Sequence, residues 1–340
     1  GGGLELLDQS WRGLGWGPLA TGMAVLVSAV VIGSLLDLPF TVYETFVLEE
    51  RFGFNRTTPG LFVVDLARNL AVSLALGLPL AWVVLWLMQA GGGLWWLHVW
   101  LVWTGFSLLL VWAWPAFIAP LFNRFSPLGD QALKQRIEAL LARCGFSSQG
   151  VFVMDGSRRS AHGNAYFTGT GNNKRIVFFD TLLDTLDGDQ IEAVLAHELG
   201  HFRRHHVRTR LLTVFAASLL GLALLGWLIQ QPWFFHGLGV STPSNHAALL
   251  LFMFTAPVFT VFLRPLGSWL SRRHEFEADE YAARQSDAAA LIQALVRLYR
   301  DNASTLTPDP LYSAFYDSHP PAAVRVAHLQ RLATAAPAGG

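Results

Sequence analysis

NLAVSLALGLPLAWVVLWLMQAGGGLWWLHVWLVWTGFSLLLVWAWPAFIAPLFN, residues 69–123, contains no Asp, Glu, Lys or Arg. A membrane-spanning helix needs about 20 apolar residues, so this stretch accommodates two, broken at Gly91-Gly92-Gly93. Charge-free stretches lie on both sides of it. Gly13 to Leu36 holds one span, and Leu211 to Leu263 holds two, broken near Gln230-Gln231-Pro232 and Ser241 to Asn245. Five spans follow, near 17–38, 69–90, 95–119, 210–230 and 247–266. Of the 340 residues, 52% are hydrophobic and 14% charged, against roughly 25% charged in a soluble domain. The fold class is therefore mainly α: a polytopic membrane helix bundle with a small β segment.

The charges orient the chain. Five spans place the N-terminus, the 91–94 turn and the loop 231–246 on one side, and 39–68, 120–210 and the tail from Arg264 on the other. Of 24 Lys and Arg, only Arg12 falls in the first set. A Lys/Arg excess near span ends marks the cytoplasmic face, and Arg51, Arg56, Arg264, Arg272 and Arg273 lie close to spans. The single cysteine, Cys144, excludes an intrachain disulfide and suits a reducing compartment. Net charge is zero and the pI near 7.4, so nothing points to nucleic acid.

On the charged side lies His197-Glu198-Leu199-Gly200-His201, an H-E-x-x-H run. The residues before it, with Ile191, Val194 and Leu195 apolar at helical spacing, predict a helix from about Asp189 that runs on into the fourth span. Positions four apart share a helix face, so His197 and His201 can offer two imidazoles to one zinc ion. Glu198 sits beside the metal without ligating it, where a general base for the hydrolytic water belongs. A catalytic zinc needs a third protein ligand. We assign Glu275, from a polar helix expected over about Ser271 to Gln285. Asp279, one turn on, is placed to accept the Nδ1–H of a ligand histidine, and Glu277 points elsewhere. Taken alone, without the H-E-x-x-H run, Glu275, Glu277, Asp279 and Glu280 read better as a solvated acidic face. His205 continues the i, i+4 ladder but suits the surface or the headgroups better.

Elsewhere, Leu128 to Cys144 reads as an amphipathic helix buried through Leu133, Ile137, Leu140 and Leu141. Val151 to Met154 and Arg175 to Phe179 read as strands, separated by a hairpin or irregular edge over Asp155 to Asn173. Ala288 to Asn302 reads as a helix, Pro308 to Pro321 as a loop, and a short terminal helix follows. Four interdependent segments result: 1–120 with three spans, 121–209 with the H-E-x-x-H helix, 210–266 with two spans, and 267–340 with the third ligand.

So placed, the chain resembles the type I CAAX prenyl endopeptidases, integral-membrane zinc metalloproteases of the gluzincin kind. The resemblance runs in order through Leu38-Pro39-Phe40, Thr45 to Glu50, Phe52 to Asn55, Ile118 to Phe122 and Gly156 to Ser160. It continues through Asn164 to Phe167, Lys174 to Leu183, His197 to His201, Glu275 to Asp279 and Ser318 to Pro321. It implies that His197, His201 and Glu275 hold one zinc ion and that Glu198 is catalytic. It further implies that Asn164 binds the substrate backbone, that His319 stabilises the oxyanion, and that Arg325 in the same C-terminal segment reaches the site and binds substrate. The implied fold is a ring of membrane helices enclosing a chamber, with the metal at its cytoplasmic end. The implied partners are peptide or protein substrates, prenylated in the family, and the lipid bilayer. The implied location is a bacterial inner membrane, or the endoplasmic reticulum membrane in a eukaryote. Family members usually have seven spans, and the two N-terminal ones have no counterpart here, which suits a shortened chain. The loop from Leu183 to Asp189 is short, and Lys134 and Lys174 are the only lysines, which suits a GC-rich prokaryotic source. Two other functions remain open: quality-control proteolysis of membrane proteins without prenylation, and a non-catalytic scaffold with a relic zinc site. Against the scaffold, His197, Glu198, His201, Glu275 and Asp279 are all present.

Overall fold

The computed structural model describes residues 2–168 and 175–335. Lys174 and the end of the expected 155–173 segment lie outside the described residues. Helices cover Gly2–Arg12 (α1), Pro18–Tyr43 (α2), Glu49–Arg51 (α3), Pro59–Ala90 (α4), Trp95–Ala113 (α5) and Ala119–Phe122 (α6). Then come β1 (Phe125–Pro127), α7 (Gln131–Arg143), β2 (Val151–Met154), β3 (Ala165–Thr168), β4 (Arg175–Phe179), α8 (Asp180–Thr185) and α9 (Gly188–Arg203). α10 (His206–Leu228), α11 (Pro232–His236), α12 (Asn245–Thr260) and α13 (Arg264–Gln285) follow. The last helices are α14 (Ala288–Asp301), α15 (Pro310–Tyr316) and α16 (Ala322–Ala335).

Five helical stretches are long and apolar enough to cross a membrane: Pro18–Arg51, Pro59–Ala90, Gly92–Phe122, His206–Leu228 and Asn245–Gln285. Each overlaps one of the five expected spans. Val30, Leu35 and Phe40 of α2 are exposed, as are Leu70, Trp82 and Trp86 of α4. In water such faces would be adhesive patches; against lipid they are the expected surface. About 20 residues cover the hydrocarbon core, and the fifth stretch has 41. Its polar second half carries Glu275 and Asp279.

The chain divides into two compact units. The first gathers Gly1–Phe52, Pro59–Val111 and Leu211–Val261. Its core joins Leu85, Trp95, Val99, Leu225, Phe235, Ala248 and Leu251. Gly226 permits close packing there, since a Cβ would lie 2.8 Å from the Trp96 ring. Asp8 is buried and paired with His246 at 2.7 Å and Arg12 at 2.7 Å.

The second unit gathers Gly53–Thr58, Trp112–Arg210 and Phe262–Gly340. Its sheet has the order β1-β2-β4-β3, with β2 and β4 parallel and β3 antiparallel to β4 at an edge. The two expected strands are present, and the segment between them supplies that edge strand. Ile137 and Leu140 of α7, Ile176 and Phe178 of β4, Leu195 and Leu199 of α9, and Leu291 of α14 form one core. The amphipathic pattern of α7 faces this core as expected, and Asp130 caps the helix by accepting from the Leu133 amide at 3.0 Å.

Three expectations change. The motif helix does not run on into the fourth span: α9 closes at Arg203, and His205 adopts φ +58° before α10 begins. The Ser271 helix has no separate start, because α13 begins at Arg264, where Pro265 suits a first turn. The 308–321 loop contains α15, whose first turn is capped by Asp309.

Candidate metal centre

α9 starts from a capping box in which Asp187 accepts from the Gln190 amide and Gln190 answers to the Asp187 amide. Its buried face packs on α13. Gly200, inside the motif, makes this possible: a Cβ there would lie 2.9 Å from Ala278 Cα and 3.0 Å from its carbonyl oxygen. The glycine therefore brings the helix bearing two histidines to backbone contact with the helix bearing two carboxylates.

His197 Nε2 and His201 Nε2 are 3.2 Å apart. The Glu275 carboxylate lies 3.5 Å from the first and 3.3 Å from the second. Zinc–nitrogen bonds of about 2.0–2.1 Å at tetrahedral angles set ligand atoms about 3.3 Å apart. The two imidazole nitrogens and the Glu275 carboxylate, which meets His197 through Oε2 and His201 through Oε1, thus lie 3.2–3.5 Å from one another, the spacing of ligands around one such ion. Glu275 Oε2 is buried and accepts no well-formed hydrogen bond, although His319 Nδ1 is 2.8 Å away and Arg325 Nη1 3.3 Å. A buried carboxylate oxygen without a donor is costly, and a cation beside it removes that cost. The donor set therefore fits a divalent metal.

The outer nitrogens of both rings are also occupied. His197 Nδ1 lies 2.8 Å from Asp279 Oδ1, the carboxylate–histidine arrangement that fixes a ligand's orientation. Burial opposes a proton on His197, but the carboxylates of Asp279 and Glu275 prevail and raise its pKa to about 9. His201 Nδ1 lies 2.9 Å from His206 Nδ1, and His206 Nε2 lies 3.1 Å from Glu277 Oε2.

The remaining expected residues fall as follows. Glu198 is half-buried on α9, and among the described residues nothing hydrogen-bonds to its carboxylate. His319, 61% exposed, reaches Glu275. Asn164 is exposed just ahead of the edge strand β3; its carbonyl accepts from the Phe179 amide at 2.9 Å. Arg325, expected at the substrate, is buried instead and donates to both Asp279 oxygens at 2.9 and 2.6 Å. Sequence reading missed His206 and sent Glu277 away from the site. The one signal for His206 was a second histidine after the motif, visible only once the helix is known to break at His205.

Comparison with known proteins agrees with this geometry. Residues 1–124 match the family model described as CAAX prenyl protease N-terminal, five membrane helices, and residues 127–333 match peptidase family M48. CAAX prenyl protease 1 of Saccharomyces cerevisiae is 36% identical, over 88% of this chain and 69% of that protein. The Arabidopsis thaliana homolog is 36% identical over 89% and 72%, and the Homo sapiens homolog 32% identical over 94% and 76%. The crystal structure of S. mikatae Ste24p superposes with a TM-score of 0.87 at 34% identity, covering 92% of this chain and 77% of that one. With a matched family model over most of the chain and a site built to hold a metal, the chain belongs to peptidase family M48 and is a multi-pass membrane metalloprotease.

Proposed function

We propose that this chain is a zinc endopeptidase that cuts prenylated CAAX-type proteins near their C-terminus, with its site on the cytoplasmic side. The observation that carries the proposal is the convergence of His197, His201 and Glu275 at zinc-ligand spacing beside an unengaged Glu198. The substrate class rests on the named activity of the relatives, and the sidedness on the position of all Lys and Arg but Arg12.

His197, His201 and Glu275 would hold the metal, which supplies Lewis-acid polarisation of water and of the scissile carbonyl. Glu198 takes the proton of the attacking water and returns it to the leaving amine. Asn164 and the outer edge of β3, the last strand of the described sheet, receive the substrate backbone as an added strand. His319, exposed beside Glu275, donates to the developing oxyanion. Asp279 holds His197, and Arg325 holds Asp279.

The test is a paired measurement on detergent-purified protein: bound zinc, and cleavage of a farnesylated CAAX peptide and its unprenylated copy. Wild type should hold about one zinc per chain and cut the farnesylated peptide faster. Glu198→Ala should hold zinc and lose at least about 100-fold in rate, as expected for a general base. Near-normal cleavage by Glu198→Ala sinks the assigned base. Equal cleavage of both peptides sinks the prenyl preference and favours general proteolysis.

A further inference from the structure

The second histidine of the motif has a support that the motif does not announce. In an unbroken helix His205 would follow His201 by one turn, and His206 would sit about 140° round the helix from His201. The break after Arg203 exchanges them. Arg204 N–H closes α9 on the Gly200 carbonyl at 3.0 Å, His205 takes the left-handed conformation, and α10 starts at His206. Left-handed backbone at a non-glycine residue persists where the surroundings enforce it, and such positions cluster at functional sites. Here its effect is to bury His206 against His201 while His205 is left exposed.

The His206 ring is held on three sides. Its Nδ1 meets His201 Nδ1 at 2.9 Å, its Nε2 meets Glu277 Oε2 at 3.1 Å, and its face stacks on His274 at 4.0 Å and 10°. Glu277 is held in turn by Arg273 Nε at 3.0 Å. The direction of this chain follows from its end. An ionised carboxylate only accepts, so His206 Nε2 carries the hydrogen. The Nδ1 of a neutral His206 then accepts, and His201 Nδ1 must donate. His201 Nε2 is left with its lone pair pointing at His197 Nε2 and Glu275.

We propose that His206 and Glu277 are positioning residues for the metal: Glu277 sets the tautomer of His206, and His206 fixes the ring and tautomer of His201 for zinc. Neither touches substrate. The proposal rests on the assignment of His201 as a zinc ligand. Zinc content of His201→Ala against the wild type tests that assignment, and the variants below test the relay.

The experiment measures zinc loss from intact detergent-solubilised protein to a colorimetric chelator, and the visible spectrum of the cobalt-substituted protein. His206→Phe keeps a ring over His274 but has no nitrogen. Glu277→Leu removes the acceptor. Outer partners of ligand histidines typically contribute 10–100-fold to metal affinity. Each variant should therefore lose zinc about 10–100-fold faster and shift the cobalt bands, whereas Glu277→Gln, which can still accept, should change little. The double variant His206→Phe/Glu277→Leu should be no worse than the worse single one, because the two act in series. A packing role alone would lower the thermal midpoint of the chelator-treated protein and leave the cobalt spectrum intact. Wild-type zinc retention in Glu277→Leu, at a partly exposed position where folding is safe, overturns the proposal even if His206→Phe fails to fold. Additive losses in the double variant overturn the serial arrangement.

Discussion

His197 and His201 sit one turn apart on the same helix, and each is backed by a chain of groups that ends in a carboxylate–arginine pair, one chain buried and the other near the surface. Behind His197 stand the Asp279 carboxylate and then the Arg325 guanidinium, both buried, with two Arg–Asp hydrogen bonds at 2.9 and 2.6 Å. Behind His201 stand the His206 imidazole, the Glu277 carboxylate and the Arg273 guanidinium, the last 62% exposed and bonded once. Each branch ends in a carboxylate neutralised by an arginine. In the first the charge lies directly behind the ligand in the buried interior; in the second a neutral ring separates them and the pair lies closer to solvent. The difference teaches where the energy lies. A buried pair is costly to break because the surviving charge has nowhere to go, while an exposed pair contributes little.

The largest expected effect comes from the buried branch. Arg325→Met leaves the buried Asp279 carboxylate without its cation, and should destabilise the protein by about 3–5 kcal/mol. Arg273→Met, at the matching point of the exposed branch, should cost about 0.3–0.5 kcal/mol. Thermal unfolding of both variants in the same detergent is the check. Equal losses would break the comparison, because the two arginines would then be doing the same work. Gly200→Ala comes next. The new methyl would press on the backbone of Ala278, part α9 from α13 and spoil both branches together, at about 1–3 kcal/mol for overpacking. Zinc content should fall along with stability. Full zinc occupancy in Gly200→Ala would show that the helices separate without opening the site.

The same contrast sorts what the sequence could reveal. The membrane spans were legible because lipid demands long uncharged runs, and composition alone carries that demand. His197, His201, Glu275 and Asp279 were legible because helical spacing fixes a face, and α9 and α13 are regular where those residues sit. Arg325 was named for the substrate, since only the fold shows that its guanidinium is buried against Asp279. His206 escaped because its place depends on a helix break at a residue, His205, whose type does not announce one. Glu277 was misplaced for a related reason. Two residues from Glu275 it faces another way, and what lies that way is brought there by the break.

That break gives the smallest and sharpest test of the two branches. A non-glycine residue in the left-handed region costs roughly 1–2 kcal/mol relative to the right-handed one, and glycine enters it freely. His205 is exposed and at φ +58°, so His205→Gly removes the strain without removing a contact of the site. The gain is offset in part by the larger entropy of an unfolded glycine, leaving a net rise in stability of up to about 1 kcal/mol. His205→Val, β-branched and ill suited to this conformation, should lose a similar amount. The informative readout is the zinc dissociation rate of each variant. If the turn serves to place His206 beside His201, His205→Gly should keep the wild-type rate and His205→Val should raise it, with the His197 branch unaffected in both. A His205→Val protein that is less stable but holds zinc as tightly as wild type would mean that the break and the second branch are independent.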